Sequence, residues 1–340
     1  GLMQRLFPAK GKTTPEIRFP EFQNDGEWKC VIIGDIISTI NPPKKLQSSE
    51  YKKKGAFPIV DQSASYIAGY SDNGDAVIDN NGYNYIVFGD HTCSLKLIDF
   101  PFIQGADGIK IFKSKITEVL TEYLYQYIFA HPINSKEYKR HFSDLKEKLL
   151  LYPTKACEQK KIADCLSSLD NYIDATKRKL ELLQEHKRGL MQRLFPAKGK
   201  TTPELRFPEF QNDGEWQIVS LGEITSVVNR RNKSNRSLPI YSINNAEGFV
   251  PQSQQFAGMD SEARGYDISA YKIIGKHTFA YNPARINVGS IGYSGELKDI
   301  LISSLYVCFK TMDNVDDDFI MCFFNSYIFN QAVESNVEGG

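Results

Sequence analysis

Along the middle of the chain, apolar side chains recur every three or four positions: Ile162, Leu166, Leu169, Ile173, Leu180, Leu183, Leu190 and Leu194. That spacing keeps one narrow face apolar and predicts a long helix within 154–195. Pro153 and Thr154 open it, with Thr as a cap, and Pro196 stops it, leaving about 39 helical residues, or roughly 58 Å at 1.5 Å per residue. Thr176 and Lys187 interrupt the seam, and Lys177, Arg178, Lys179, Glu181 and Glu185 flank it. A seam so narrow is the coiled-coil pattern and calls for a partner helix.

On either side the pattern shifts to short β-branched and aromatic runs separated by turn clusters such as SDNGD, DNNG and FGDHT. Strands are expected at 31–37, 57–60, 76–78, 85–88, 94–98 and 108–112, and again at 238–243, 271–274, 277–281, 289–293 and 301–309. Helical spacing is expected at 116–129 and 319–333, and an extended edge segment at 142–153. The pattern therefore predicts an α+β chain, two modules of mixed sheet plus helices joined by the long helix.

A repeat fixes the organisation. GLMQRLFPAKGKTTPEIRFPEFQNDGEW begins at Gly1 and returns at Gly189 with one change within this stretch, Ile17 against Leu205, and the likeness extends to about 36 residues. Beyond each copy the two sequences are almost unrelated. The expected divisions are 1–27, the end of a preceding helix plus linker; 28–153, a first module; 154–195, the long helix; 196–215, a linker; and 216–340, a second module, incomplete at its C-terminal side. At this period Gly340 aligns with Tyr152, so a second long helix is expected to be missing from the sequence. A constant frame carrying two variable modules suits the reading of two different things.

Composition narrows the classes. Lys plus Arg and Asp plus Glu number 41 each, so any nucleic-acid contact rests on local basic patches. The six cysteines include no CxxC pair, which excludes the common zinc spacings and reads as reduced thiols of a cytoplasmic protein. No apolar run has the length of a membrane span, and the N-terminus lacks a signal pattern.

Enzyme signatures fail on inspection. Asn41-Pro42-Pro43 resembles an adenine-gripping loop, yet Lys44 stands where a stacking aromatic is required. Gly11-Lys12-Thr13 and Gly199-Lys200-Thr201 lack the preceding glycine of a phosphate loop. Glu296-Leu297-Lys298 has no carboxylate partner in view, and His91 with Cys93 has no further metal ligands. No catalytic residue, metal or cofactor is expected.

PEIRFPEF and PELRFPEF before a Trp, the segment ACEQKKIADCLSSLDNYIDATKRKLELLQEHKRGLMQRLF, and two dissimilar modules between constant regions together resemble the specificity subunit of Type I restriction-modification systems. The likeness covers nearly the whole chain. It implies that each module is a target recognition domain reading one half of a split double-stranded DNA site. It also implies that constant helices pair as an antiparallel coiled coil setting the gap, that two modification (methyltransferase) subunits dock on this frame, and that a restriction subunit joins them. Methyl transfer and cleavage then belong to the partners. A helix of roughly 58 Å exceeds one turn of B-DNA, about 35 Å, so modules at its ends suit successive major grooves. The alternative is a non-catalytic coiled-coil scaffold whose modules bind a protein or another ligand.

Reading a duplex takes cations for phosphates and short polar loops for base edges. The first module offers Lys44 and Lys45, the loop residues Asp90, His91 and Thr92, and Gln104 and Asp107 among small neighbours. The second offers Arg230, Arg231, Lys233 and Arg236, then Tyr281, Asn282, Arg285 and Asn287. The run Lys52 to Lys54 reads more readily as a solvated face than as a phosphate site.

Overall fold

The five residues Tyr85–Gly89 are all buried, as their unbroken apolar run demands of a central strand. In the computed structural model, which describes residues 1–106, 108–133, 140–256 and 258–336, this strand lies third in an antiparallel sheet. The sheet order is Ile37–Ile40, Ile109–Ser114, Tyr85–Gly89, Leu95–Ile98. A second sheet runs Gly69–Ser71, Phe57–Val60, Phe102–Gln104, Val77–Ile78, and its central pair is parallel, with Ile59 opposite Ile103. These strands belong to the first of two compact units, Gly1–Lys177 and Arg178–Gly340.

Helix Thr121–Ala130 buries Tyr123, Leu124, Tyr127 and Ile128 against the first sheet. The same core takes in Leu6, Phe7 and Trp28 from the constant block, and Phe7 meets Tyr127 edge-on at 5.5 Å. Residues 142–153 are not extended throughout. Phe142–Lys146 is a helical turn because Phe142 and Leu145, three apart, both reach this core, and only Leu149–Tyr152 is extended, antiparallel to Lys29–Ile32.

The second unit repeats the two four-stranded sheets strand for strand, and among the described residues it has no counterpart of the Lys29–Ile32 and Leu149–Tyr152 pair. One sheet is Thr225–Val227, Val307–Thr311, Phe279–Tyr281, Ile291–Tyr293, wholly antiparallel. The other is Gly248–Pro251, Ile240–Asn244, Ile300–Ile302, Lys272–Ile274, with Ile240–Asn244 parallel to Ile300–Ile302. The expected single strand at 301–309 is thus two strands in different sheets, parted by a turn in which Tyr306 N–H bonds to the Ser303 carbonyl at 3.1 Å. The helical run at 319–333 divides as well. Asp316 caps Asp317–Phe324 by accepting from Phe319 N–H at 2.7 Å, and Tyr327–Asn336 starts afresh after Ser326.

The long helix is Ala156–Leu194, 39 residues. Its seam is not uniform. Ile162 and Leu166 are consumed by the core of the first unit, whereas Leu169, Ile173, Leu180 and Leu183 stand 42–56 % exposed. The stretch of seam that calls for another helix is therefore shorter than the periodicity implies.

Candidate nucleic-acid interface

In the first unit, the loops that come after Phe57–Val60, Tyr85–Gly89 and Phe102–Gln104 meet at one end of the two sheets. Thr92 and Ser94 hydroxyls donate to the Gln62 carbonyl at 3.2 and 3.1 Å, and Asp90 N–H donates to the Gly108 carbonyl at 2.6 Å. Lys96, buried, sends its ammonium to the carbonyls of Asp61 and Ser65 at 2.8 and 2.5 Å. Burial pulls that ammonium below its usual range, with nearby Asp61 opposing the shift. Tyr51 Oη accepts from Ala106 N–H at 2.9 Å, and a side chain at Gly105 would bring its Cβ within 2.2 Å of that oxygen. Glycine is required there for close approach. Gly108, at φ +99°, turns the backbone where a β-carbon is disfavoured.

This packing sorts the expected contact residues. Lys44, Lys45 and Thr92 are exposed, and Lys45 bridges in parallel to Gln104, which places the basic pair beside the loop cluster. His91 is half-buried. Asp90 and Gln104 are corrected: both side chains are buried, at 4 % and 2 % exposure, and the Asp90 carboxylate is committed to Phe142 N–H at 2.9 Å. Asp90 pins the helix that begins at Phe142 and does not face outward. Asp107 lies outside the described residues. The exposed loop Ser63-Ala64-Ser65-Tyr66 follows Phe57–Val60 beside these residues, and its sequence signal is the small polar run DQSAS between two strands.

In the second unit the basic loop 229–236 is built on a buried asparagine. Asn232, fully buried, donates to the Arg236 carbonyl and accepts from Arg236 N–H, both at 2.9 Å, closing the loop on itself. Arg231 bridges to Lys272, and Ile273 N–H bonds to the Arg230 carbonyl at 2.7 Å. Arg230, Arg231, Lys233 and Arg236 are exposed, and among the described residues no carboxylate pairs with any of them. Asn232→Ala removes both bonds from a buried site and is expected to cost about 2 kcal/mol. Urea unfolding of the second unit measures the loss, and faster amide exchange at Arg236 locates it.

Near this loop, Lys272 Nζ reaches the Tyr306 carbonyl at 2.6 Å. At the end of Phe279–Tyr281, Asn282 caps the short helix Pro283–Val288 by accepting from Ala284 N–H at 3.0 Å, so its carbonyl is occupied. Tyr281 is half-buried and packs on Phe309, with ring centroids 6.3 Å apart; both residues support the loop. Arg285 and Asn287 stay exposed on the same turn, which Asn245 ties down through Val288 O at 2.6 Å. Each unit thus presents cations and small polar groups on rigid loops, a surface able to hold phosphates and touch base edges. Among the described residues no cluster has the makeup of a metal site, and no helix is long and apolar enough to cross a membrane.

Residues 25–185 match a family model described as the Type I restriction modification DNA specificity domain. No curated protein matches the chain. Among solved structures, the chain is similar to the S subunit of a Type-I restriction-modification system from M. genitalium, at 15% identity over 92% of this chain and 80% of that one, TM-score 0.59. A chain from a study of type I R-M system assembly and conformational transition matches at 14% identity over 90% and 81%, TM-score 0.45. The HsdS subunit from Thermoanaerobacter tengcongensis matches at 12% over 94% and 84%, TM-score 0.37.

Proposed function

We propose, from the match of residues 25–185 to the specificity domain and from the fold, that the chain is a specificity subunit of a Type I restriction-modification system and reads a bipartite duplex site, one half per module. The long helix sets the interval between the halves, and its exposed seam, Leu169 to Leu183, pairs with a helix of similar kind. Modification subunits dock on the constant frame, and they and the restriction subunit carry out the chemistry; this chain supplies sequence choice. It acts in the cytoplasm.

One observation carries this reading: two modules of unrelated sequence share the topology of their two four-stranded sheets and differ in the loops gathered at one end. A common scaffold with divergent loops is the arrangement expected when two surfaces do the same kind of reading on different targets. The test is an exchange of residues 28–153 for the corresponding module of another specificity subunit, then mapping of methylated sites made by the assembled complex. The expected outcome is a changed sequence in one half-site and an unchanged sequence in the other. Methylation at the original sites in both halves overturns the reading and favours the scaffold.

A further inference from the structure

In the second unit the connection from the edge strand Gly248–Pro251 to Lys272–Ile274 runs from 252 to 271, where the first unit crosses the matching gap with 72–76. A connection of that length without strands of its own needs internal ties, and here they are polar. Buried Gln252 accepts from the Ser261 N–H and hydroxyl at 3.0 and 2.7 Å, and the Tyr271 hydroxyl donates to the same Ser261 oxygen at 2.9 Å. Two further bonds join this segment to the basic loop. Asn232 N–H donates to the Tyr271 carbonyl at 2.8 Å, and the Ser237 hydroxyl donates to Glu262 at 3.0 Å.

Arg264 lies on this segment against two rings. Its guanidinium carbon is 4.2 Å from the centre of the Phe256 ring and 5.2 Å from that of Tyr266, and all three residues are exposed. Nε donates to the Asp260 carbonyl at 3.2 Å and Nη2 to the Ser261 hydroxyl at 3.4 Å, which leaves the end-on pair of N–H groups on Nη1 and Nη2 without a partner among the described residues. The neighbouring carboxylates are engaged elsewhere: Asp260 with Ala263 N–H at 2.9 Å, Glu262 with Ser237, and Asp267 with Ser269 N–H at 2.8 Å. A guanidinium held by ring faces and by its inner edge has its plane fixed, and its two free parallel donors match two acceptors lying side by side. The shorter connection of the first unit, 72–76, contains no arginine, so this device belongs to the second module alone.

We propose that Arg264 is a specificity-determining residue of the second module, donating through Nη1 and Nη2 to O6 and N7 of a guanine in the major groove. The inference rests on the reading that this module contacts duplex DNA. Guanine is the one base that sets two acceptors side by side on its major-groove edge, so the fixed fork selects it. The exposed rings of Phe256 and Tyr266 make an apolar rim about the cation, which suits the flat edge of a base better than a hydrated phosphate.

The experiment measures binding of the assembled complex to duplexes carrying each base pair in turn at every position of the half-site that the second module reads. The unaltered complex is expected to prefer G·C at one position, and Arg264→Ala and Arg264→Lys are each expected to relax that preference at least about tenfold, or ~1.4 kcal/mol. Lysine keeps the charge and loses the planar fork, so its failure assigns the effect to the fork. Preferences at the other positions are expected to persist, which shows that the module is intact. Replacing that guanine by 7-deazaguanine, which lacks the N7 acceptor, is expected to weaken binding by the unaltered complex and to leave the Arg264→Ala complex unaffected. A loss uniform over all sequences, with the salt slope smaller by about 0.9, marks a phosphate contact and overturns the proposal. Unchanged preference at every position overturns it too. Either result leaves the bipartite reading standing, because the module exchange judges that reading separately.

Discussion

Arg18→Ala is expected to destabilise the first unit by about 3–5 kcal/mol, while the same change at its copy, Arg206, costs the second unit about 1 kcal/mol. The two arginines sit in the same constant sequence, so propensity and local backbone are matched and the difference isolates the partner. Glu158 is 1 % exposed and Arg18 10 %. Their bidentate bond, and then their charge attraction, raise the arginine's already high pKa, although burial opposes this. Removing Arg18 leaves a carboxylate buried without its cation, and that desolvated charge is the main cost. Arg206 loses only bonds to two carbonyls that water can replace. Each unit contains one tryptophan, Trp28 or Trp216, so urea unfolding monitored by fluorescence in a Trp216→Phe or Trp28→Phe background reports one unit at a time. Restoration of stability in Arg18→Ala/Glu158→Ala, relative to Arg18→Ala alone, assigns the loss to the stranded carboxylate. Equal losses at Arg18 and Arg206 contradict it.

The long helix is legible in the sequence because its period persists over many turns and a proline ends it. The division of its seam is not, since Ile162 and Leu166 look like Leu180 and Leu183 until tertiary contacts bury the first pair and leave the second exposed. Central strands are legible as apolar runs. The short strands Gly69–Ser71 and Gly248–Pro251 are hidden by glycine and proline, tolerated there because both lie at sheet edges. Shared topology is invisible in two unrelated sequences because it rests on pairings distant along the chain, such as Ile59 with Ile103. Among the candidate contact residues, loop cations are found by composition. Asp90 and Gln104 mislead because polar residues in a turn cluster look alike whether they face water or anchor the turn from within.

The basic loop of the second unit carries the largest expected effect on DNA binding. Arg230→Glu/Arg231→Glu is expected to weaken binding to a mixed-sequence duplex about 10- to 100-fold, or ~1.4–2.7 kcal/mol, at moderate salt. It is also expected to flatten the dependence of log K on log salt by about 0.9 for each phosphate no longer neutralised, hence by about 2 for the pair. Both residues sit on a loop that Asn232 closes from beneath, so the loop backbone is ordered by the fold and the entropy opposing the contact is that of the side chains. Net charge alone predicts another pattern. Lys276→Glu/Lys298→Glu changes the total charge by the same amount near the far end of strand Ile291–Tyr293 from the Pro283–Val288 loop. If the loop touches phosphates, that control shifts affinity little and leaves the salt slope near its original value. If both pairs weaken binding alike, the effect is a general field and the loop is not the interface. A salt titration of the assembled complex separates the two, because only released counterions change the slope.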